Sequence, residues 1–94
     1  MLSLTRRVGE EISFSGKQGP IGVLTIQDVK GAESVTFTFN PVIGTESVHE
    51  VGLKEDWEIS DAEGRVGSLR VTDLIDGCRA RLAFDCPREI RIGR

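Results

Sequence analysis

The chain has 94 residues, of which 38% are hydrophobic and 29% are charged, a balance typical of one small folded domain. A chain this short buries only a limited core, so dimerisation or an internal pseudo-dimer would add stability. The formal net charge of −3 argues against a broadly basic surface that binds nucleic acid non-specifically, although it is compatible with a local basic patch.

The sequence lacks the features of a membrane, secreted or metal-bound protein. No apolar run approaches the roughly 20 residues of a spanning helix, and Arg6 and Arg7 interrupt the apolar start of the chain. The two cysteines, Cys78 and Cys86, are too few for a disulfide framework or a zinc site. We therefore expect a cytoplasmic protein that has no membrane partner, metal or cofactor.

Alternating apolar and polar residues predict antiparallel strands along most of the chain. In chain order, the clearest examples are residues 2–8, 34–39, 79–84 and 89–94. Turn signals rich in glycine, proline and aspartate separate such runs at residues 16–20, 30–32, 40–41, 61–64 and 76–77. Spacings of roughly 8–12 residues between turns, with no helical periodicity, predict an all-β sandwich or barrel.

The chain also contains an internal repeat. Leu24 matches Leu69 and Phe39 matches Phe84, in both cases at a separation of 45 residues (69 − 24 and 84 − 39). Both leucines begin a Leu-x-(Ile/Val)-x-Asp-(Val/Leu) string. Repeats of this kind indicate that one supersecondary unit is used twice.

The remainder of the repeat requires short slips in the turns, because residues 11–13 (Glu-Ile-Ser) align with residues 58–60 (Glu-Ile-Ser) at a different separation. An alternative explanation is that any two β-meanders resemble each other, because all strands alternate with a period of two. A duplicated meander would nevertheless bury two apolar faces that one copy leaves exposed. We predict a single compact domain over residues 1–94, with antiparallel strands in two lobes, 1–50 and 51–94, that form a pseudo-dimer.

The two ends of the chain carry the most specific motifs. Residues 1–12 read Met-Leu-Ser-Leu-Thr-Arg-Arg-Val-Gly-Glu-Glu-Ile, and residues 81–94 read Arg-Leu-Ala-Phe-Asp-Cys-Pro-Arg-Glu-Ile-Arg-Ile-Gly-Arg. The first resembles M-L-x-L-T-R-(R/K)-x-G-E-x-(I/L), the opening of the carbon storage regulator family of bacterial RNA-binding proteins. The second is similar to the family's R-I-G-(V/I)-N-A-P-K-E-V-x-V-H-R stretch, and residues 30–41 resemble the same central region.

The resemblance implies a fold of two interlocked lobes, with strand 1 of one lobe beside strand 5 of the other. Members of the family bind GGA sequences in the hairpin loops of messenger leaders, and thereby control translation or transcript stability. It therefore implies a cytoplasmic regulator whose partners are messenger RNA hairpins and sequestering small RNAs. Because the repeat supplies both lobes, we expect a monomeric pseudo-dimer, with a homodimer as the alternative.

The resemblance also implies an RNA site where residues 2–8 meet residues 89–94 as neighbours in one sheet. The positions that match the family's recognition motifs are Leu4, Thr5, Arg6, Arg7, Cys86, Pro87, Arg88, Ile90, Arg91, Ile92 and Arg94. Among them, Arg94 stands where the family has its decisive arginine. Guanine offers two acceptors, O6 and N7, that an arginine can meet with two parallel hydrogen bonds.

A companion site is expected between residues 45–50, as strand 5 of the first lobe, and residues 53–59, as strand 1 of the second. Val48-His49 matches the family's V-H, but Glu50 occupies the position of the arginine. A carboxylate repels phosphate and cannot donate to guanine. We therefore expect one active and one inactive RNA site in each chain.

Other interpretations remain open at this stage. From charge alone, Arg6 and Arg7 would be edge-strand residues that block aggregation. A relative that has lost RNA affinity would act as a protein-interaction or decoy module, and an ordinary regulator subunit with a β-rich insertion between strands 1 and 2 would form a homodimer. No enzyme is expected, because His49 is the only histidine and the spacing suggests no nucleophile beside it.

Overall fold

The computed structural model describes residues 2–61 and 64–93, and every regular element within them is a β-strand. In chain order the strands are β1 Leu2–Arg7, β2 Glu11–Gly16, β3 Gly19–Lys30, β4 Ser34–Pro41, β5 Ser47–Gly52, β6 Asp56–Asp61, β7 Gly64–Ile75, β8 Arg79–Asp85 and β9 Arg91–Ile92. Met1, Arg94 and residues 62–63 of the predicted turn lie outside the described residues. The described part contains no helix that could cross a bilayer.

The strands form two antiparallel sheets that pack as a small sandwich, which confirms the predicted all-β fold. The strand order is β1-β8-β7-β6 in the four-stranded sheet and β5-β4-β3-β2-β9 in the five-stranded sheet. Each sheet mixes strands from the two halves of the chain, because β1 pairs with β8 and β9 pairs with β2. The two halves are therefore interlocked and each completes the other's sheet.

The predicted alternation builds the core. In β4 the apolar Val35, Phe37 and Phe39 are buried, whereas Thr36 and Thr38 between them are half-buried. The same pattern buries Leu82 and Phe84 of β8. Burying an aromatic or branched side chain of this size stabilises a fold by about 1.5–3 kcal/mol, so these alternating positions hold the two sheets together.

Aromatic contacts between the sheets fix which strands lie over one another. The ring centroids of Phe14 in β2 and Phe84 in β8 are 5.7 Å apart. Those of Phe37 in β4 and Trp57 in β6 are 5.1 Å apart. Strand β8 therefore lies over β2, and β6 lies over β4. It follows that the outer strands β1 and β9 border one side of the sandwich, and β5 and β6 border the other.

The 45-residue repeat extends to the backbone. Register shifts fall between Phe14 and Ser15 in β2 and between Ile59 and Ser60 in β6, at the same offset. Left-handed backbone recurs with it, since Gly9 (φ 91°) is matched by Lys54 (φ 66°). The two halves therefore share the same bulges and turns.

This constant offset corrects the sequence alignment of residues 11–13 with residues 58–60. Ile12 lies opposite Leu24, and Trp57 lies opposite Leu69, so Trp57 is the counterpart of Ile12. The misalignment was two residues long. Strand side chains alternate with a period of two, so a slip of two keeps every apolar residue on its proper face and leaves the pattern unchanged.

The companion strands were also predicted wrongly. Strand β5 covers Ser47–Gly52 and pairs with β4 as β1 pairs with β8, so it is the counterpart of β1 rather than of β9. Residues 53–55, expected in a strand, form the turn that follows it. The short connection over residues 42–46 makes β5 the antiparallel neighbour of β4 and leaves no chain to cross to the other sheet. The predicted boundary after residue 50 falls inside β5.

Candidate nucleic-acid interface

The two strands with motif residues border the same side of the sandwich, but they belong to different sheets. Strand β1 is the outer strand beside β8, and β9 is the outer strand beside β2. The Phe14–Phe84 contact brings β2 and β8 together. The expectation that both strands are neighbours in one sheet is therefore wrong. We refer to β1 together with residues 86–93 as the β1/β9 edge.

Strand β1 divides its motif residues between two faces. Leu4 is 8% exposed and lies opposite Leu82, so its side chain belongs to the core. Any contact of Leu4 with a ligand would come from its backbone. Thr5 and Arg7 are exposed on the outer face of the sheet. Alternation in a strand sends their side chains to the face opposite Leu4.

Arg6 is half-buried and lies on the same face of β1 as Leu4. Its Nη1 donates a hydrogen bond to the carbonyl oxygen of Thr5 at 2.9 Å. The backbone N–H of Arg7 donates to Oε1 of Glu10 at 2.7 Å, which fixes the turn after β1. Adjacent in sequence, Arg6 and Arg7 therefore point to opposite faces and contribute to different parts of the edge.

Residues 86–93 combine an apolar anchor with exposed charge. Cys86, Ile90 and Ile92 are half-buried and pack against the core cluster. Ile92 lies opposite Phe14 in β2, and the N–H of Gly93 donates to the carbonyl of Ser13 at 2.7 Å. These contacts hold the last strand in place without using the arginines around it.

The polar motif residues of this segment are accessible. Pro87, Arg88 and Arg91 are exposed, and Arg91 lies opposite Ser15. The carbonyl of Pro87 accepts a hydrogen bond from the N–H of Ile90 at 3.0 Å, which closes the turn before β9. Arg94, the residue that the resemblance makes most important, lies outside the described residues.

Burial affects the chemistry of the cysteine in this turn. Desolvation is the largest effect on Cys86 and raises the pKa of its thiol, and the nearby carboxylate of Asp85 raises it further. A backbone hydrogen bond from Ser68 acts in the opposite direction. The thiol is therefore protonated at neutral pH, so Cys86 acts as an apolar anchor of the turn rather than as a nucleophile.

The structure adds two arginines that sequence reasoning left out of the site. In β8, Arg79 lies directly opposite Arg7, and Arg81 lies opposite Thr5. Together with Arg7 they form an arginine cluster on the outer face of the four-stranded sheet. Alternation in residues 79–84 already indicated that both point outward. Only the pairing of β1 with β8, from the far end of the chain, brings them to Arg7.

The charge in this cluster is only partly compensated. Arg79 donates to Oδ2 of Asp76 at 2.8 Å. Within the described part of the chain, no carboxylate lies within salt-bridge distance of Arg6, Arg7, Arg81, Arg88 or Arg91. Like charges placed directly across a strand pair destabilise it, so Arg7 opposite Arg79 carries a cost to folding.

The opposite side of the sandwich, between β5 and β6, has a different character. Glu50 accepts a hydrogen bond from the buried hydroxyl of Ser34 at 2.7 Å and pairs with Lys30 at 3.2 Å. These contacts lower the pKa of Glu50, with the Ser34 hydrogen bond as the largest cause. By its strand pairing Glu50 is the counterpart of Thr5, so the view that it replaces the family's arginine is wrong.

His49 does have a hydroxyl neighbour that the sequence spacing did not suggest. Oγ of Ser47 and Nε2 of His49 are 2.7 Å apart, because residues two apart in a strand share a face. The imidazole packs on Trp57, with ring centroids 4.8 Å apart. No hydrogen bond from a described residue orients the other ring nitrogen, which a triad of this type requires.

Comparison of the chain with protein-family models, with curated proteins and with solved structures finds no match. Among the described residues, no group of three or more histidine, cysteine, aspartate or glutamate side chains is arranged to hold a metal ion. A function is therefore inferred from the geometry and charge of the β1/β9 edge together with the motifs in its sequence.

Proposed function

We propose that the chain is a cytoplasmic RNA-binding regulator that recognises single-stranded GGA-type loops at the β1/β9 edge, with one site per chain. What supports the proposal is that both strands with the motifs border the same side of the sandwich. The exposed arginines Arg7, Arg88 and Arg91 lie on the β1/β9 edge. Looped RNA exposes the base edges that such strands can reach.

Each group at this edge has a chemical task in the proposal. The backbone of β1, an outer strand, offers N–H and C=O groups to the base edges. The arginine cluster contacts phosphate on the outer face of the sheet, and an arginine of the last strand meets guanine O6 and N7. The few aromatic residues are buried or half-buried, so base stacking is not required.

The net charge of −3 is compatible with this function because the charges are segregated. Arginines without a salt-bridge partner among the described residues gather on the β1/β9 edge. Near β5 and β6, Glu50, Asp56 and Glu58 are paired with Lys30, Arg70 and Arg65, and Glu46 adds a negative charge. RNA would therefore be attracted to the first side of the molecule and not to the second. This favours one RNA per chain over the two equivalent sites of a symmetric pseudo-dimer.

A titration tests the proposal. The probe is a hairpin RNA with GGA in its loop, and the control RNA carries the same stem with an all-adenine loop. We expect saturation at one RNA per chain and loss of affinity for the control. Replacing Arg7, Arg91 or Arg94 by serine should cost about 1.5–3 kcal/mol each, which is a tenfold to hundredfold weaker complex.

The matched control is Arg65→Ser, which removes an exposed arginine next to the acidic β6. It should leave RNA affinity unchanged. The salt dependence gives a second measurement, because removing one phosphate contact to single-stranded RNA lowers the slope of log K against log salt by about 0.7. Equal binding of both RNAs, or equal effects of Arg7→Ser and Arg65→Ser, would contradict the proposal.

A further inference from the structure

The four-stranded sheet lacks the strand that completes the five-stranded one. In the five-stranded sheet, β9 pairs with the outer edge of β2, with Ile92 opposite Phe14. Strand β6 is the counterpart of β2 at the constant offset, and Ile59 is the counterpart of Phe14. No strand within the described residues pairs with the outer edge of β6.

An open pocket of about 370 Å³ lies where the side chains of the missing strand would pack. Its lining residues are Phe39, Pro41, Ile43, Ser47, His49, Trp57, Glu58 and Ser60. At the constant offset, Phe39 and Ser47 correspond to Phe84 and Leu2, which belong to the core region that β9 covers. Ile90 and Ile92 pack against that core on the β1/β9 side, whereas the β5/β6 side is open.

We propose that the outer edge of β6 binds an extended peptide segment of a partner protein, which joins the four-stranded sheet as a fifth strand. The segment has branched aliphatic residues at alternate positions, which fill the pocket, and lysine or arginine between them. Its backbone repeats the bond from the N–H of Gly93 to the carbonyl of Ser13. Glu58 is the counterpart of Ser13, so its carbonyl accepts the equivalent bond.

The charge around β6 determines the kind of partner. Glu58 is exposed and lines the pocket, and its nearest cation, Arg65, is 3.7 Å away. Glu46 is also exposed near this side, and Asp56 is exposed there too but paired with Arg70 at 2.6 Å. These carboxylates attract a basic peptide and repel nucleic acid. They also oppose pairing with β6 of a second copy, because like charges would face one another.

The pocket distinguishes the outer edge of β6 from an edge that charged residues only protect against aggregation. Charged side chains on an outer strand are enough to prevent aggregation. They do not require an apolar receptor beside the strand. Here Trp57 is half-buried and Ile43 is 76% exposed at the pocket, which leaves apolar surface in contact with water. An added strand that carries aliphatic side chains would cover it.

The chain itself supplies a probe for the experiment, since residues 91–93 already pair with the equivalent edge of β2. A synthetic Pro-Arg-Glu-Ile-Arg-Ile-Gly-Arg peptide with blocked ends is titrated into the full chain. Trp57 is the only tryptophan, so its fluorescence reports on the pocket directly. We expect a saturable change at one peptide per chain, with amide NMR shifts concentrated in β6.

Backbone methylation of the peptide provides the matched control. Methylation at the glycine nitrogen, the group that bonds to Ser13 in the chain, removes one strand bond and should weaken binding about tenfold. Methylation at the preceding isoleucine should change affinity little, because successive N–H groups point to opposite sides of a strand. In the protein, Glu58→Lys should weaken binding severalfold, whereas Glu33→Lys in the distant β3–β4 turn should not.

Three results would overturn the proposal. One is the absence of any Trp57 response at millimolar peptide, and another is an equal effect of the two methylations. The third is an NMR response confined to β2, which means that the peptide only displaces β9. A fourth result would also overturn it: a dimer seen by sedimentation without peptide and abolished by Glu58→Lys would identify a second copy as the occupant. The outcome is independent of RNA binding.

Discussion

At the scale of single residues, Gly9 and Lys54 show what the turn before β2 and β6 demands. Both have positive φ, 91° and 66°. Their N–H groups donate to equivalent carbonyls, Gly9 to Ile26 at 2.8 Å and Lys54 to Val71 at 2.6 Å. Left-handed backbone costs a residue with a side chain about 1–2 kcal/mol, whereas glycine adopts it freely. The second half therefore carries a strain that the first half avoids.

This difference gives a paired prediction. Lys54→Gly should raise the free energy of unfolding by about 0.5–1 kcal/mol, because relief of the strain exceeds the added chain entropy of glycine. Gly9→Ala should lower it by about 1–2 kcal/mol. A Cβ at Gly9 would meet nothing within 4 Å, so the effect of alanine is one of backbone conformation alone. Urea unfolding measures both, and shifts of the same sign would contradict the explanation.

Individual site residues were predictable only as far as their own strand determines them. Alternation in β1 indicates that Thr5 and Arg7 share the face opposite Leu4, and the structure agrees. It cannot indicate that Arg79 lies opposite Arg7, since that contact depends on which strand pairs with β1. Long-range pairing is set by the whole core rather than by any local pattern.

At the scale of secondary-structure elements, the strands could be predicted because alternation and turns are local properties. The sequence signal for residues 34–39 and 79–84 matches β4 and β8 closely. Strand β5 was more difficult, because Val48 is 66% exposed and the strand alternates weakly. Its place beside β4 is fixed by Val51, which is buried opposite Val35.

The attachment of β5 to β4 should respond to pH. Hydrogen bonding from Ser34 and the charge of Lys30 place the pKa of Glu50 in the folded state below its ordinary value. A carboxyl group with a lowered folded-state pKa stabilises the fold above its unfolded pKa of about 4.3. That contribution is lost as the pH falls through the folded-state value.

We therefore expect Glu50→Gln to be less stable than the wild type at pH 7, and expect the difference to shrink in strongly acidic buffer. Glutamine still accepts the Ser34 hydrogen bond, so the variant isolates the charge. Denaturant unfolding at the two pH values measures the effect. The control is Glu33→Gln, in the exposed β3–β4 turn. A gap between wild type and Glu50→Gln that persists in acid would contradict the assignment.

At the scale of the whole molecule, the sandwich was expected from the strand and turn pattern, and the interlocked halves from the family resemblance. The prediction that β1 and β9 are neighbours in one sheet was wrong, because they are outer strands of different sheets. Sequence shows how often a unit recurs, but not which edges its copies share. The pairing of β5 with β4 follows from the length of the connection between them, because residues 42–46 reach only to the neighbouring strand.

Interlocking predicts how the molecule responds to a cut. A protease site introduced into the exposed segment of residues 42–46 should be cleaved without separating the fragments. The first fragment supplies β1 to the four-stranded sheet, and the second supplies β9 to the five-stranded sheet. Size-exclusion chromatography and circular dichroism after cleavage should show one folded complex. Two fragments that separate and remain folded on their own would contradict the interlocked arrangement.

The pairing of β1 with β8 has a consequence for synthesis in the cell. Leu2 lies opposite Phe84, so β1 leaves the ribosome many residues before its partner strand and must wait for it to emerge. Until then the leucines of β1 are exposed to solvent, and the four-stranded sheet cannot close. Contacts between residues this distant along the chain also make folding slow. The two halves therefore fold together, once β8 has emerged, rather than one after the other.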